Sequence, residues 1–343
     1  MTPEIPGIVS AAAVRATAGS IAAVQEPDGG IPWPEGHVDA WNHIECAMAL
    51  TVGGLRDEAR HAYDWLVRHQ RPDGSWPIKV VRGEAVERGG ESNHAAYIAV
   101  GVWHELLITG DTGFARRMWP HVRRALTFVV GLQTAEGDII WKRDEDGAPS
   151  DQSLLTGCSS IHQALRCGIL LAECMGDPQP DWELAADRLQ HALVARPELF
   201  ADKSRWSMDW YYPILGGAVR GAAAFERLAA SWDTFVVPGL GVRCVADQPW
   251  VTGAESSELV MALEAIGDRE RAVRIFAEIQ YLRHDDGSYW TGYQFANDRH
   301  YPDERSAYTA AAVVLAADAL AGATPAAGIF REVVPLSRPS LSS

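Results

Sequence analysis

The sequence contains no Cys-x-x-Cys pair, no long uncharged apolar run and a shortage of cations. Each of these gaps removes a class of explanation. The five cysteines, Cys46, Cys158, Cys167, Cys174 and Cys244, are odd in number, which argues against a disulfide framework or a zinc site and fits reduced thiols. Cys167 and Cys174 lie a heptad apart and are expected to share a buried helix face. Lys and Arg number 30 against 45 Asp and Glu, a net charge of −15, which disfavours nucleic acid and anionic membranes as partners. No stretch approaches the roughly 18 apolar residues of a membrane span. Residues 1–25 lack the basic start and apolar centre of a signal peptide. Together these features predict a cytoplasmic protein acting on a small molecule or an oligosaccharide. The histidines show no ligand spacing, so no metal is expected, and no cofactor is implied.

What the chain does have is repetition. Gln25-Glu26-Pro27-Asp28-Gly29-Gly30-Ile31-Pro32-Trp33 is followed by Gln70-Arg71-Pro72-Asp73-Gly74-Ser75-Trp76. Looser copies run from Gln133 through Gly137 to Trp141, and from Arg283 through Gly287 to Trp290. Each copy stops an apolar stretch with helical spacing: Pro cannot continue a helix, Asp-Gly favours a tight turn, and the Trp is expected to fold back onto the helix just ended.

Between these turns the periodicity predicts alternating helices. Outer helices are expected near 10–26, 56–70, 112–133, 181–195, 219–232 and 268–282. Inner ones are expected near 39–53, 92–109, 154–175, 207–217, 252–266 and 303–321, the fourth shortened by Pro213 and Gly216-Gly217. Gly53-Gly54, Gly110-Asp111, Gly176-Asp177 and Gly267-Asp268 supply a left-handed stop and a capping Asp between inner and outer helices. Short turns on one rim and long connections on the other predict an all-α fold, an (α/α)6 toroid, as one domain over 1–322. The segment 323–343, rich in Pro, Ser and Ala, is expected to be a loosely ordered tail.

If the long connections share a rim, the first turns of the inner helices converge there. Those turns carry His37, Asp39, Trp41, Asn42 and Glu45; Glu91, Asn93, His94 and Tyr97; and Asp151, Ser159, Ser160 and His162. Farther along come Trp206, Asp209, Trp210, Tyr211 and Tyr212; Trp250, Glu255 and Glu258; then Tyr301, Asp303, Glu304, Arg305 and Tyr308. Each has a plain structural alternative, since Asp39, Asp303 and Glu255 are also where N-terminal helix charges belong and aromatics pack cores. Carboxylates beside aromatic faces nevertheless suit sugars, because carboxylates bind hydroxyls and aromatic rings stack on pyranose C–H surfaces. Trp41, Trp210, Tyr211 and Trp250 are the candidate platforms. His37, Asp39, Asn42, Glu91, Asn93, His94, Tyr212, Glu258 and Tyr308 complete the candidate binding set.

Over roughly residues 8–322 the alternation resembles two toroid superfamilies, the six-hairpin glycosidases of glucoamylase type and the terpenoid cyclase and protein prenyltransferase toroid. The latter's Q-x-x-D-G-x-W turns resemble Gln70 to Trp76, and the chain is similar to actinobacterial proteins described as prenyltransferase-like. Motifs separate the two. The D-x-D-D acid of cyclases is absent, with Asp144-Glu145-Asp146-Gly147 the nearest match. The zinc ligands of prenyltransferases have no counterpart around Ser306 to Tyr308. The glucoamylase resemblance implies a general base at Asp303 or Glu304, a substrate-binding Asp39, and a general acid before the third inner helix. That stretch has Asp151 and Gln152 where the family has Glu, leaving Glu91, Asp209 and Glu255 as substitutes for the acid. An inverting hydrolase needs two carboxyls roughly 6.5–9.5 Å apart. The leading expectation is therefore an inverting glycoside hydrolase, with a terpenoid cyclase or prenyltransferase-like enzyme and a non-catalytic binding toroid as alternatives.

Overall fold

Six helical hairpins succeed one another around a ring in the computed structural model, which describes residues 1–332. They are α1 (Ala11–Ala23) with α2 (Ala40–Gly53), then α3 (Arg56–His69) with α4 (Ser92–Ala96) and α5 (Ile98–Thr109), parted only at Tyr97. Next come α6 (Thr112–Val130) with α7 (Leu155–Met175) and α8 (Pro180–Ala195) with α9 (Ser207–Leu215). The last two pairs are α10 (Ala222–Phe235) with α11 (Gly253–Ala265) and α12 (Arg269–Glu278) with α13 (Ala307–Ala321). The first helix of each pair is outer and the second inner. Inner helices pack in chain order, and α13 packs on α2 to close the circle. The fold is the expected (α/α)6 toroid.

Burial explains the two helix classes. Outer α3 buries Ala59, Ala62, Tyr63, Trp65 and Leu66 along one stripe and leaves its charges in water. Inner α13 is buried on all sides from Thr309 to Leu320, so its Ala and Val residues need no polar face.

The repeated turn is a clasp between consecutive outer helices. Gln70 Nε2 donates to the Gly74 carbonyl of its own turn (3.0 Å) and to the His121 carbonyl of α6 (2.9 Å). Gln25 does the same to Gly29 and to Glu58 of α3, and Gln133 to Gly137 and to Ala185 of α8. Gly74 has φ +96°, and a Cβ there would meet the Arg124 carbonyl oxygen at 2.2 Å, so both its conformation and its neighbour require glycine. In the fourth copy a Cβ on Gly287 would meet the backbone of Ala16 of α1 at 2.7 Å, a close approach that joins the last outer helix to the first.

Several local details depart from expectation. The last inner helix starts at Ala307 because the Ser306 hydroxyl caps it at the Thr309 N–H (3.2 Å); Asp303 and Glu304 therefore lie in the preceding loop. Asp111 and Asp268 cap the next helix, but Asp177 instead accepts from Trp119, Arg123 and Gln179, and α8 begins at Pro180 without a side-chain cap. Cys174 is exposed while Cys167 is buried, so the two do not share a core face.

The long connections form small antiparallel sheets on the rim where inner helices begin. The largest has five strands, running Arg299–His300, Gly292–Gln294, Trp250–Thr252, Gly241–Arg243 and Val236–Val237 in spatial order. At the opposite end, residues 324–332 close the ring. Ile329 and Phe330 are buried, the Ile329 carbonyl accepts from Gln163 (2.6 Å), and Arg331 pairs with Glu264 (2.9 Å). The core thus continues to Phe330, and the remainder of the expected tail, 333–343, lies outside the described residues. No described helix is long and apolar enough to cross a membrane.

Candidate active site

At the mouth, Asp39 is the N-cap of α2, and one carboxyl oxygen accepts the Asn42 N–H at 2.9 Å. Capping uses only that oxygen. The other accepts the Trp33 indole N–H and the Asn42 side-chain amide, each at 2.7 Å. Burial pushes this carboxyl up, but the nearby His94 and the hydrogen bonds from Trp33 and Asn42 outweigh it and hold it below the ordinary value. Asp39 is a carboxylate kept ionised.

A second group of carboxyls descends along the ring axis. Glu255 stands half-buried in the first turn of α11, and Glu258, one turn deeper, is fully buried. One Glu258 oxygen accepts the hydroxyls of Tyr212 (2.8 Å) and Tyr308 (2.7 Å), and the other accepts that of Tyr211. Burial first, and the Glu255 charge second, raise the Glu258 carboxyl to about 7 against the pull of the tyrosine hydrogen bonds. Across the axis, buried Glu45 of α2 is pushed well above the carboxylate range by burial and then by Glu258, with Tyr97 beside it in the wall of the same cavity. Neither Glu45 nor Glu258 forms an ion pair among the described residues. They border a small cavity with room for about one water, also lined by Ser160, Gln163 and Phe330.

Aromatic rings surround this acidic axis. Trp33 stacks on His37 (5.9 Å between centroids) and leans on Tyr308 (5.6 Å). Trp41 lies about equally close to His94, Tyr97 and Tyr212, at 6.1, 6.0 and 6.0 Å. Glu91 precedes α4 and approaches His94 at 3.3 Å, which places that pair beside Trp41. Trp250 lies on the rim, its indole donating to the Tyr301 carbonyl at 2.6 Å. The convergence expected of His37, Asp39, Trp41, Asn42, Glu91, His94, Tyr212, Glu255, Glu258 and Tyr308 is thus present in the structure.

Other candidates lie elsewhere. Asp303 and Glu304 line a groove between α1 and the loop before α13, with Asp286, Trp290 and Arg305, because helix α13 starts after them. Asp151 is exposed in the loop before α7. Asp209 accepts from Thr156 (2.6 Å) and faces a lateral groove with Arg227 and Trp210. Trp210 turns outward to stack on Phe235 and donates to the Arg227 carbonyl, so its ring is a packing element. Tyr211 is fully buried and offers its hydroxyl to Glu258 rather than a face to solvent. Asn93 is buried at the α4–α7 contact.

Three participants lie outside the candidate set. Glu45 and Tyr97 belong to the helix starts but sit one turn too deep for a mouth. Trp33 has the sequence context of a turn residue, and its distinguishing signal is local: a Pro comes after it, and Asp39 lies six residues on. No group of three or more His, Cys, Asp or Glu among the described residues is arranged to hold a metal.

No family model matches the sequence. The chain is 53% identical over 332 residues to the MMP endo-(1,4)-3-O-methyl-alpha-D-mannosidase of Mycolicibacterium hassiacum, covering 96% of this chain and 92% of that protein. In fold it is similar to a glycosidase (TM-score 0.68, 14% identity, 91% and 96% of the two chains covered) and to a D-mannose isomerase (TM-score 0.65, 11% identity, 92% and 98% covered). A ring of hairpins with carboxyls on its axis, and more than half its residues shared along nearly the full length of a mannosidase, make this chain a carbohydrate-active enzyme of that glycoside hydrolase family.

Proposed function

We propose that the enzyme cleaves internal α-(1,4) bonds of a 3-O-methyl-D-mannose oligosaccharide with inversion, Asp39 acting as general base and Glu255 as proton donor. The observation that carries this reading is a carboxylate held ionised at the mouth, Asp39, with a second, half-buried carboxyl, Glu255, in the first turn of another inner helix. Asp39 is held ionised by Trp33, Asn42 and His94, as a base that must accept a proton from water requires. Glu255 is the carboxyl of α11 that reaches the opening, and it stands directly above a second acid. The two come from helices separated by α13, whose Tyr308 touches Trp33 on one side and Glu258 on the other; inversion requires a water on one face of the sugar and the leaving oxygen on the other.

In the reaction, Glu255 gives its proton to the glycosidic oxygen as the bond to the anomeric carbon breaks. Water attacks the opposite face and loses its proton to Asp39. Trp33, His37, Trp41 and Trp250 supply flat apolar faces for the pyranose rings and their methyl ethers, while Asn42, Glu91, His94 and Tyr308 supply hydroxyl partners. The unpaired cysteines support a reducing, cytoplasmic setting.

Incubation with a 3-O-methyl-mannose oligosaccharide, its unmethylated counterpart and a prenyl diphosphate tests the assignment. Asp39→Asn and Glu255→Gln are each expected to lower kcat on the methylated substrate by about 10³-fold. Proton NMR should show the β-anomer appearing first. Early α-anomer would mean retention, and turnover of the prenyl diphosphate alone would restore the isoprenoid reading. That reading calls for a deep aromatic tunnel with a single buried acid, whereas this axis holds Asp39, Glu45, Glu255 and Glu258.

A further inference from the structure

Glu258 has no path to a substrate in this fold, since it is 1% exposed and both its oxygens are occupied by tyrosine hydroxyls. Its surroundings are nevertheless unusual for a structural residue. A buried carboxyl that serves packing normally meets a cation, yet the titratable groups that face Glu258 are acids, phenols and a thiol, and the cavity beside it adds only Ser160, Gln163 and apolar side chains. From α2 come Glu45 and, nearer the mouth, Asp39; from the start of α5, Tyr97; from α9, Tyr211 and Tyr212; from α13, Tyr308. Its own helix offers Glu255, and the loop before that helix brings the buried Cys244. Glu258 and Glu45 face each other across the one-water cavity and Glu255 stands one helical turn above, so three carboxyls follow one another along the axis with no ion pair to any of them among the described residues.

We propose that Glu258 is a positioning residue for the proton donor: it and Glu255 hold one exchangeable proton between them, and three tyrosine hydroxyls set how firmly that proton is kept. The proton resides at the mouth or one turn below it, and charge repulsion within the pair prevents its loss at the pH where an isolated glutamate would already be ionised. The tyrosines act in the opposite sense, because each hydroxyl that donates to Glu258 favours its ionised form. The direction in which burial and Glu255 displace Glu258 agrees with this arrangement. The proposal rests on Glu255 being the donor, and the two ideas fail in different ways.

The test is the pH dependence of kcat/KM on the methylated oligosaccharide, for wild type, Glu258→Gln and Tyr211→Phe. Removing Glu258 removes the repulsion that retains the proton, so the alkaline limb moves to lower pH by about one unit, a loss of about tenfold above the limb and little loss below it. Removing the Tyr211 hydroxyl, which is buried away from the mouth, weakens the ionised form of Glu258 and moves the same limb to higher pH. Opposite displacements support the proposal. Uniform losses at every pH with an unmoved limb overturn it and leave Glu258 a packing residue. If Glu258→Gln fails to fold, judged by circular dichroism and thermal unfolding, Tyr211→Phe and Glu258→Asp decide: an unmoved limb in Tyr211→Phe, or no recovery of the wild-type profile in Glu258→Asp, overturns it. Activity persisting in Glu255→Gln sinks the donor assignment itself, whereas an inactive Glu255→Gln beside unmoved limbs sinks only the pairing.

Discussion

Glu105 and Glu258 are both fully buried glutamates on inner helices, yet they are buried on opposite terms. Glu105, on α5, accepts a charged hydrogen bond from Arg60 (2.9 Å) and a hydroxyl from Thr51 (2.5 Å), and Arg60 is itself stacked over Phe114 at 3.8 Å. Glu258 meets three phenols and a facing glutamate. The first carboxylate is neutralised by a partner from the outer ring, and the second is left to neutralise itself with a proton. A buried carboxyl with its own cation is a joint between helices. One without a cation, on the axis and under the mouth, belongs to the chemistry.

The strongest way to break this contrast is to make the two residues alike. Arg60→Met leaves Glu105 buried without its cation, and chemical denaturation should show a loss of about 3–5 kcal/mol. A loss below about 1 kcal/mol would mean that Glu105 is no better paired than Glu258.

The next effect is the pH dependence of stability at Glu258. Its folded carboxyl titrates at about 7 against an ordinary value of 4.5, so the folded state holds a proton that the unfolded chain has lost. The stability from that proton is fully present below the unfolded value and disappears as pH rises through about 7, an effect on the order of 2–3 kcal/mol. Denaturation of wild type and Glu258→Gln at pH 5 and pH 8 should therefore show the variant gaining on wild type at the higher pH. A constant gap would remove the self-neutralisation argument.

Glu45→Gln sharpens the comparison at smaller scale. Glu45 is held protonated by burial and by Glu258, so the amide replaces an uncharged group of the same shape and should change stability by less than about 1 kcal/mol at pH 7. The smallest effect belongs to the carboxyls beside α1. Glu304→Gln and Asp303→Asn, in the lateral groove, should leave kcat within about threefold, far from the loss expected of a general base.

Those last two residues show where sequence reasoning reaches its limit. The resemblance to glucoamylase-type enzymes implies a base immediately before the last inner helix, and acidic residues stand there. Ser306 then captures the Thr309 N–H, the helix begins at Ala307, and the two carboxyls fall on the outer side of the opening. A one-turn difference in where a helix starts rotates a side chain from the axis to the flank, and no periodicity in 303–310 records it. Trp210 is a similar case. The aromatic cluster around it suits a sugar platform, but the ring faces α10 and Phe235 while its neighbours Tyr211 and Tyr212 face the axis. Helical spacing forces adjacent residues onto different faces, and which face is inward depends on the neighbours.

The repeated turn makes the same point in one motif. Trp76 donates to the Leu66 carbonyl and folds back onto the helix just ended, as its chemistry suggests, while in the first copy Ile31 holds that position and Trp33, two residues farther on, donates to Asp39. Related punctuation serves packing at one hairpin and a hydrogen bond to a mouth carboxylate at another. The difference arises from the next residues in the chain, since only the first copy has an acidic N-cap six positions downstream of its Trp.

Helix number, hairpin alternation and the short and long rims were written in the chain itself. They depend on local rules, namely an apolar stripe every 3.6 residues, Asp-Gly turns, and glycine where only glycine fits beside the next helix. Which carboxyls share the axis was decided by tertiary structure alone. Glu45 and Glu258 lie more than 200 residues apart along the chain, and lost hydration together with neighbouring carboxyls pushes both upward once the ring has closed. A local pattern can prescribe a helix, but a shared proton requires neighbours that only the closed ring provides.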